Sequence, residues 1–400
     1  MTDATAARSG GALNLPALVL SRVSTSAIFM TYPACLNDLL AHWQMSAAQA
    51  GIVQAAFMAG FAVSLLIASY LCDRIGAKRV FNVALALSAL AALSFALFAR
   101  SFETAIVLVS LIGLSQGGTY TPAIMLVAAN VAPERKASGV GWVLAGMSAG
   151  YVISIALSAS LLALYGYEQA FLATAALTAL GWGFGSVAVR TARDHMSEAH
   201  HVTPASGAPS KRQAALLMVG YIGHSWELLG MWSWVPAFLA AAILARDTIS
   251  AVELGLWTAF ALHLSGFFAS FLAGYAADRH GTRPVLVAFA LLGLLCSLAI
   301  GWMVEAGVAL LIAMTAIYGF VTIGDSSVLS SAMTDAVPSH RLGRVLGLRS
   351  VLGIGAGAVA PAVFGLTLDL APAATEWGYA FWTLAVGGLV AFVCALALKR

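Results

Sequence analysis

Ser69-Tyr70-Leu71-Cys72-Asp73-Arg74-Ile75-Gly76-Ala77-Lys78-Arg79-Val80 is a dense knot of charge in a 400-residue chain that is 61% hydrophobic and only 9% charged. It has a copy, Gly274-Tyr275-Ala276-Ala277-Asp278-Arg279-His280-Gly281-Thr282-Arg283-Pro284-Val285. Tyr, Asp, Arg and Gly recur in register, 205 residues apart (278 − 73), close to half the chain. Each copy sits between two long apolar segments. That pattern predicts a duplicated membrane protein with one charged turn in each half.

Working outward, the composition excludes an ordinary soluble domain, where about 25% of residues are charged. A spanning helix needs roughly 20 mostly apolar residues. Such segments run near 16–41, 46–72, 80–99, 103–131, 137–165 and 168–190, then near 213–243, 250–277, 284–304, 307–336, 342–369 and 376–398. The expected fold is all-α: twelve transmembrane helices in two six-helix bundles, 1–190 and 213–400, joined by a polar linker at 191–212. The first apolar segment is too long for a signal-peptide core and is read as a retained span. Cys35, Cys72, Cys296 and Cys394 lack metal-site spacing and read as small hydrophobes.

Lys and Arg set the orientation. With the N-terminus inside, the inner segments hold 16 of the 20 basic residues: Arg8, Arg74, Lys78, Arg79, Arg135, Lys136, Arg190, Arg193, Lys211, Arg212, Arg279, Arg283, Arg341, Arg344, Lys399 and Arg400. The outer loops hold Arg100 and Arg246, and Arg22 and Arg349 fall within spans. Both termini are therefore expected in the cytoplasm, with the chain in the plasma membrane. The linker carries His195, His200 and His201. No second ligand cluster would close a tetrahedral site, so the linker reads as a solvated connector.

The repeat continues beyond the charged turns. Val131-Ala132-Pro133-Glu134-Arg135-Lys136 corresponds to Ala336-Val337-Pro338-Ser339-His340-Arg341, and Tyr32-Pro33 to Val235-Pro236. Spans 5 and 11 are crowded with glycine, which favours close helix packing in lipid. With the paired loop signature after spans 2 and 8, the chain resembles the major facilitator superfamily of secondary transporters across nearly its whole length. The resemblance implies alternating access, with spans 1, 4, 7 and 10 lining a central cavity and spans 3, 6, 9 and 12 facing lipid. It also implies that Asp73, Arg74 and Gly76, with Asp278, Arg279 and Gly281, form a cytoplasmic gate whose acids approach helix N-termini of the neighbouring bundle. Ser69 stands where the family usually has Gly. Gly113 stands where proton antiporters of the family often carry Arg, and residues 141–150 lack their Gly-Pro pair.

Ionisable residues in the middle of a membrane cost roughly 2.5–3.5 kcal/mol each on insertion scales and are retained for function or pairing. Glu227, Asp325 and His263 lie mid-span, and Arg22 and Arg349 about a third of the way in. His224, Glu227, Met231 and Trp234 share one face of span 7, a candidate proton-coupling and solute-contacting surface. Asp325 shares a face with Tyr318 and Thr322, and Arg349 on the next span is placed to neutralise it. Arg22 either clamps an anion in the two-pronged manner of guanidinium or snorkels to headgroups. Tyr32, Gln54, Gln116 and Tyr120 offer neutral hydrogen bonds. His263 reads as a hydrogen-bonding residue rather than a metal ligand.

These residues predict a proton-coupled transporter of a small organic solute, an anion such as a carboxylate. An exporter of amphipathic or toxic compounds is the alternative, and a transporter-like solute receptor a weaker one. No nucleophile–base set or phosphate loop is present, so no enzyme is expected. Nor is a cofactor, metal or nucleic acid partner. A monomer in the lipid bilayer is expected, with the solute and H+ as partners.

Overall fold

Apolar length accounts for most of the elements. The computed structural model describes residues 13–132, 135–194, 211–244, 246, 249–337 and 339–399. Arg8, Pro133, Glu134, His195, His200, His201, Pro338 and Arg400 lie outside the described residues, as do the side chains of Lys136, His340, Arg341 and Arg344. Among the described residues, eleven helices are long and apolar enough to cross a membrane.

The first crossing departs from the single helix expected over 16–41. It is made of three pieces, α1 (Leu15–Ser26), α2 (Thr31–Ala34) and α3 (Leu36–His42). The break follows from side chains competing for backbone groups. Thr31 Oγ1 donates to the Ala27 carbonyl at 3.1 Å, and Ser154 Oγ takes the Met30 amide at 3.1 Å. The other crossings before the linker are α4 (Ala47–Ile75), α5 (Ala77–Phe98), α6 (Phe102–Asn130), α7 (Lys136–Tyr165) and α8 (Tyr167–Val189). After it come α9 (Lys211–Leu244), then α10 (Ala251–Ala259) and α11 (Ser265–His280), which make one crossing through a π turn at Phe260–Leu264. The last are α12 (Thr282–Ala299), α13 (Val308–Ala336), α14 (Ser339–Leu370) and α15 (Glu376–Ala397).

Helix starts are written in the sequence. Ser46 and Gln49 form a reciprocal capping box at α4, and Asn14 caps α1. The two charged turns share one backbone. Gly76 has φ 88° and ψ 144°, and Gly281 has φ 89° and ψ 153°. Only glycine adopts that region without strain, so each motif glycine ends one helix and starts the next in a single residue. Asp194, at the start of the linker, accepts from the Lys78 amide at 2.9 Å and ties the first turn to its own half.

Helices α5, α8, α12 and α15 present exposed aliphatic stripes, such as Val83, Leu87, Leu90 and Leu97 on α5 and Val386, Leu389, Val393 and Leu396 on α15. These are spans 3, 6, 9 and 12, the ones expected to face lipid. Between the halves, α4 packs on α14, α7 on α10, and α2 and α3 on α9.

Twelve crossings bring both chain ends to one side, here called proximal; the other end is distal. The named bonds between the halves lie in the distal half of the molecule. Asn37 Nδ2 donates to the Ala237 carbonyl at 2.9 Å. Asp369 bonds the amides of Ala47 and Ala48. Gly51 lies against Pro361, Gly365 against Ala47, and Gly255 against Ala159. At the proximal end Asp73, Arg74, Asp278 and Arg279 are exposed, with Arg74 lying 4.8 Å from the Tyr70 ring centre.

Candidate functional site

Two buried guanidinium groups approach from opposite halves. Arg22, on α1, is 3% exposed. It does not snorkel: Nη1 donates to Thr119 Oγ1 on α6 at 2.5 Å, and Nε has no hydrogen-bond partner. Thr119 in turn donates to the Gln116 carbonyl, and Gln116 Nε2 donates to the Thr25 carbonyl at 3.0 Å. Spans 1 and 4 thus lock together around the guanidinium. Arg349, on α14, is 9% exposed, donates to Ser330 Oγ at 3.1 Å, and also leaves Nε without a partner. It lies 4.1 Å from the centre of the Tyr221 ring, a cation–π contact. Tyr120, on α6, lies near Arg22, Arg349 and Tyr221. Tyr151, on α7, also lies near Arg22. Among the described residues no carboxylate lies within ion-pairing distance of either arginine.

The expected Asp325–Arg349 pair is not formed. His224 Nδ1 lies 2.8 Å from Asp325 Oδ1, an ion-pair distance without hydrogen-bond alignment, and His224 Nε2 meets Ser326 Oγ at 2.7 Å. Both residues are buried. His224 stands one turn from Tyr221, whose ring carries Arg349, so acid and guanidinium are held apart by an imidazole and a phenol.

Glu227 occupies a separate place. It accepts from Ser297 Oγ on α12 at 2.6 Å, and Ser297 is also 2.6 Å from the Tyr318 hydroxyl on α13. Gly293 on α12 and Gly388 on α15 leave room for the carboxyl, since a Cβ at either would stand 3.3 or 2.9 Å from its oxygens. The face shared by His224, Glu227, Met231 and Trp234 is therefore divided. His224 and Met231 address α13, the latter through Thr322 Oγ1 at 3.3 Å from its sulfur. Glu227 points between α12, α13 and α15. Trp234 stacks on Phe364 and donates to the Pro361 carbonyl at 3.0 Å, which makes it part of the packing of α14.

The remaining candidates fall into two groups. Tyr32 donates to the Ala50 carbonyl at 3.2 Å, and with Gln54 it borders a small cavity lined mainly by apolar side chains, into which Gln54 brings an unbonded Nε2. His263, in the π turn, meets Tyr151 of the other half and Trp232 at ring-centre distances of 5.3 and 5.4 Å. Its Nε2 and the indole nitrogen of Trp232 have no partner. The gate residues Asp73, Arg74, Gly76, Asp278, Arg279 and Gly281 lie at the proximal turns, away from all of these. Tyr221, Tyr151 and Ser297 are not singled out by sequence reading, whereas Trp232 belongs to the span-7 tryptophan cluster, with Trp226 and Trp234, that sequence reading offers either for stacking on a solute ring or for packing. A tyrosine or serine in a buried span carries no signal until its neighbours are known. No group of three or more metal-ligating side chains occurs among the described residues.

The sequence model of the Major Facilitator Superfamily matches residues 15–245 and 228–400. The chain belongs to that superfamily. It is a multi-pass membrane transporter with the twelve-helix fold of the family, and not an enzyme. It is 25% identical to a gallate transporter of Pseudomonas putida, over 90% of this chain and 85% of that one. It is 21% identical to a cis,cis-muconate transport protein of Acinetobacter baylyi, over 86% and 85%. It is also 21% identical to a hexuronate transporter of Bacillus subtilis, over 88% and 85%. Among solved structures, the nucleoside transporter NupG superposes with a TM-score of 0.76 at 13% identity, covering 96% of this chain and all of that one. A bacterial homologue of the lysosomal transporter Spinster, in an inward-facing, occupied conformation, gives 0.76 at 14% identity, covering 96% and 94%. These likenesses establish the fold.

Proposed function

We propose that this transporter carries a small organic anion, a carboxylate, held between Arg22 and Arg349. The observation that carries the reading is the pair of buried guanidinium groups, one in each half, with free Nε atoms and no acidic partner among the described residues. A buried cation without a counter-ion is costly, and an anionic solute supplies the missing charge. Guanidinium offers a planar fork that matches carboxylate. Tyr120 and Tyr221 lie beside the two cations and offer a hydroxyl and a ring face. The relatives point the same way, since gallate, cis,cis-muconate and hexuronate are all carboxylates.

In this reading the units that rock are residues 1–190 and 213–400, joined by the linker. The protein sits as a monomer in the plasma membrane with both termini in the cytoplasm, and the distal end faces outside. Anion binding from both sides draws the halves together and favours closure. H+ is the coupling ion. His224–Asp325 and Glu227 are the carriers, because both are buried ionisable groups on α9 and α13, the helices that also bear Tyr221 and Ser330. Uptake by purified protein in liposomes tests the reading. A panel of carboxylates and their methyl esters is offered with and without an inward proton gradient. Accumulation of acids alone, driven by the gradient, is expected. Equal transport of the esters would sink the anion site, and gradient-independent accumulation would sink the coupling.

A further inference from the structure

The distal closure includes a carboxylate that belongs to neither the arginine pair nor the proton carriers. Asp369 stands one residue from the end of α14. Its Oδ1 accepts from the Ala47 amide at 2.9 Å and its Oδ2 from the Ala48 amide at 2.8 Å. Those are the first two residues of α4, whose amides have no acceptor within their own helix. Ser46 satisfies the Gln49 amide. The N-terminus of α4 is therefore capped jointly by its own serine and by an acid from the other half of the chain. Negative charge is favoured at this end of a helix. The contact is built as well as charged. Gly365, one turn before Asp369, lets α14 lie on the Ala47 carbonyl, and Gly51, one turn into α4, receives the Pro361 carbonyl. The two helices run antiparallel. The other acid of the pair, Asp73, lies two residues before the proximal end of α4 and is exposed.

We infer that Asp369 is the distal latch of the transport cycle. It holds the halves together at this end by capping α4, and it must release before the distal end opens. The latch is bound while the distal end is shut, and its contact is confined to the distal end of the α4–α14 pair.

The test uses full-length protein in lipid nanodiscs without solute, so its result is independent of the anion reading. Spin labels are placed on cysteines introduced at Glu103 and Ala373, exposed positions on the distal side of the two halves. The four natural cysteines are buried. Wild type is expected to show mainly the short distance. Asp369→Asn removes the charge. Ala47→Pro removes one of the two donors while keeping Asp369, at the helix position that tolerates proline best. Each is expected to raise the ratio of long to short distances about ten-fold, the scale of losing a hydrogen bond to a charged group. Asp369→Glu is expected to fall between. Wild-type distances in both Asp369→Asn and Ala47→Pro would overturn the latch. A shift in Asp369→Asn alone would overturn the capping role, since the carboxylate would then act elsewhere. If Asp369→Asn does not fold, Ala47→Pro decides by itself.

Discussion

Replacing Arg22 by Gln separates the cost of the site from its use. In the empty protein Arg22 is a desolvated cation with one hydrogen bond, to Thr119, and a free Nε. Gln keeps a donor for Thr119 and sheds the charge, so the empty variant is expected to melt at a higher temperature than wild type. Binding moves the other way. Hydrogen bonds to a charged group contribute about 1.5–3 kcal/mol each. At 1.36 kcal/mol per decade, losing one such bond weakens a carboxylate by about 10- to 150-fold. Arg22→Lys keeps the charge and loses the fork, and is expected to lie between. The assay is isothermal titration with purified protein, paired with a melting curve of the same sample, using each acid and its methyl ester. Wild-type carboxylate affinity in Arg22→Gln would refute the reasoning. So would a lower melting temperature without solute, because the arginine would then be a structural tie.

Three further outcomes follow from the geometry. Glu227→Gln preserves a partner for Ser297 and Tyr318, and is expected to abolish accumulation driven by a proton gradient while solute exchange continues; continued accumulation removes Glu227 from the coupling path. His224→Ala strands Asp325 without its 2.8 Å partner and is expected to cost about 3–5 kcal/mol in denaturation, whereas adding Asp325→Ala should return part of that loss in a double-mutant cycle. Gly51→Ala drives a Cβ into the Pro361 backbone and is expected to destabilise the distal-closed state by about 1–3 kcal/mol, seen as a lower melting temperature; Gly141→Ala, with nothing within 4 Å, is the control.

The fold was legible because it depends on quantities a sequence displays openly: apolar length and a motif repeated at fixed offset. The motif glycines were legible too, since a Gly that joins two helices without a loop has a backbone reason to be there. The site was legible only as a set of residue types. Arg22 and Arg349 stood out because charge is rare in the spans. Their partners did not. Span 7 is buried on nearly all sides, so sharing a helical face no longer means sharing a neighbour, and His224, Glu227 and Trp234 each turn to a different helix. The expected Asp325–Arg349 pair failed because His224 lies closer to the acid, a matter of helix rotation that spacing does not encode. Asp369 reads as an ordinary acid at a span end. Its partner is 322 residues away, and only the meeting of two helix ends reveals it.

The first crossing belongs to both halves. Its proximal piece, α1, packs on α7 and α8, while α2 and α3 touch both their own half and α9 of the other. Between them the backbone makes i→i−3 bonds, from the amides of Ala27, Phe29 and Thr31 to the carbonyls of Ser24, Ser26 and Ile28. In mechanical terms this is a universal joint set into a strut. A joint of this kind permits bending between the distal piece and α1, which holds Arg22 against Thr119. The matching crossing, α9, is an unbroken rod of 34 residues. The two matching crossings are thus unequal, the first jointed and the seventh continuous.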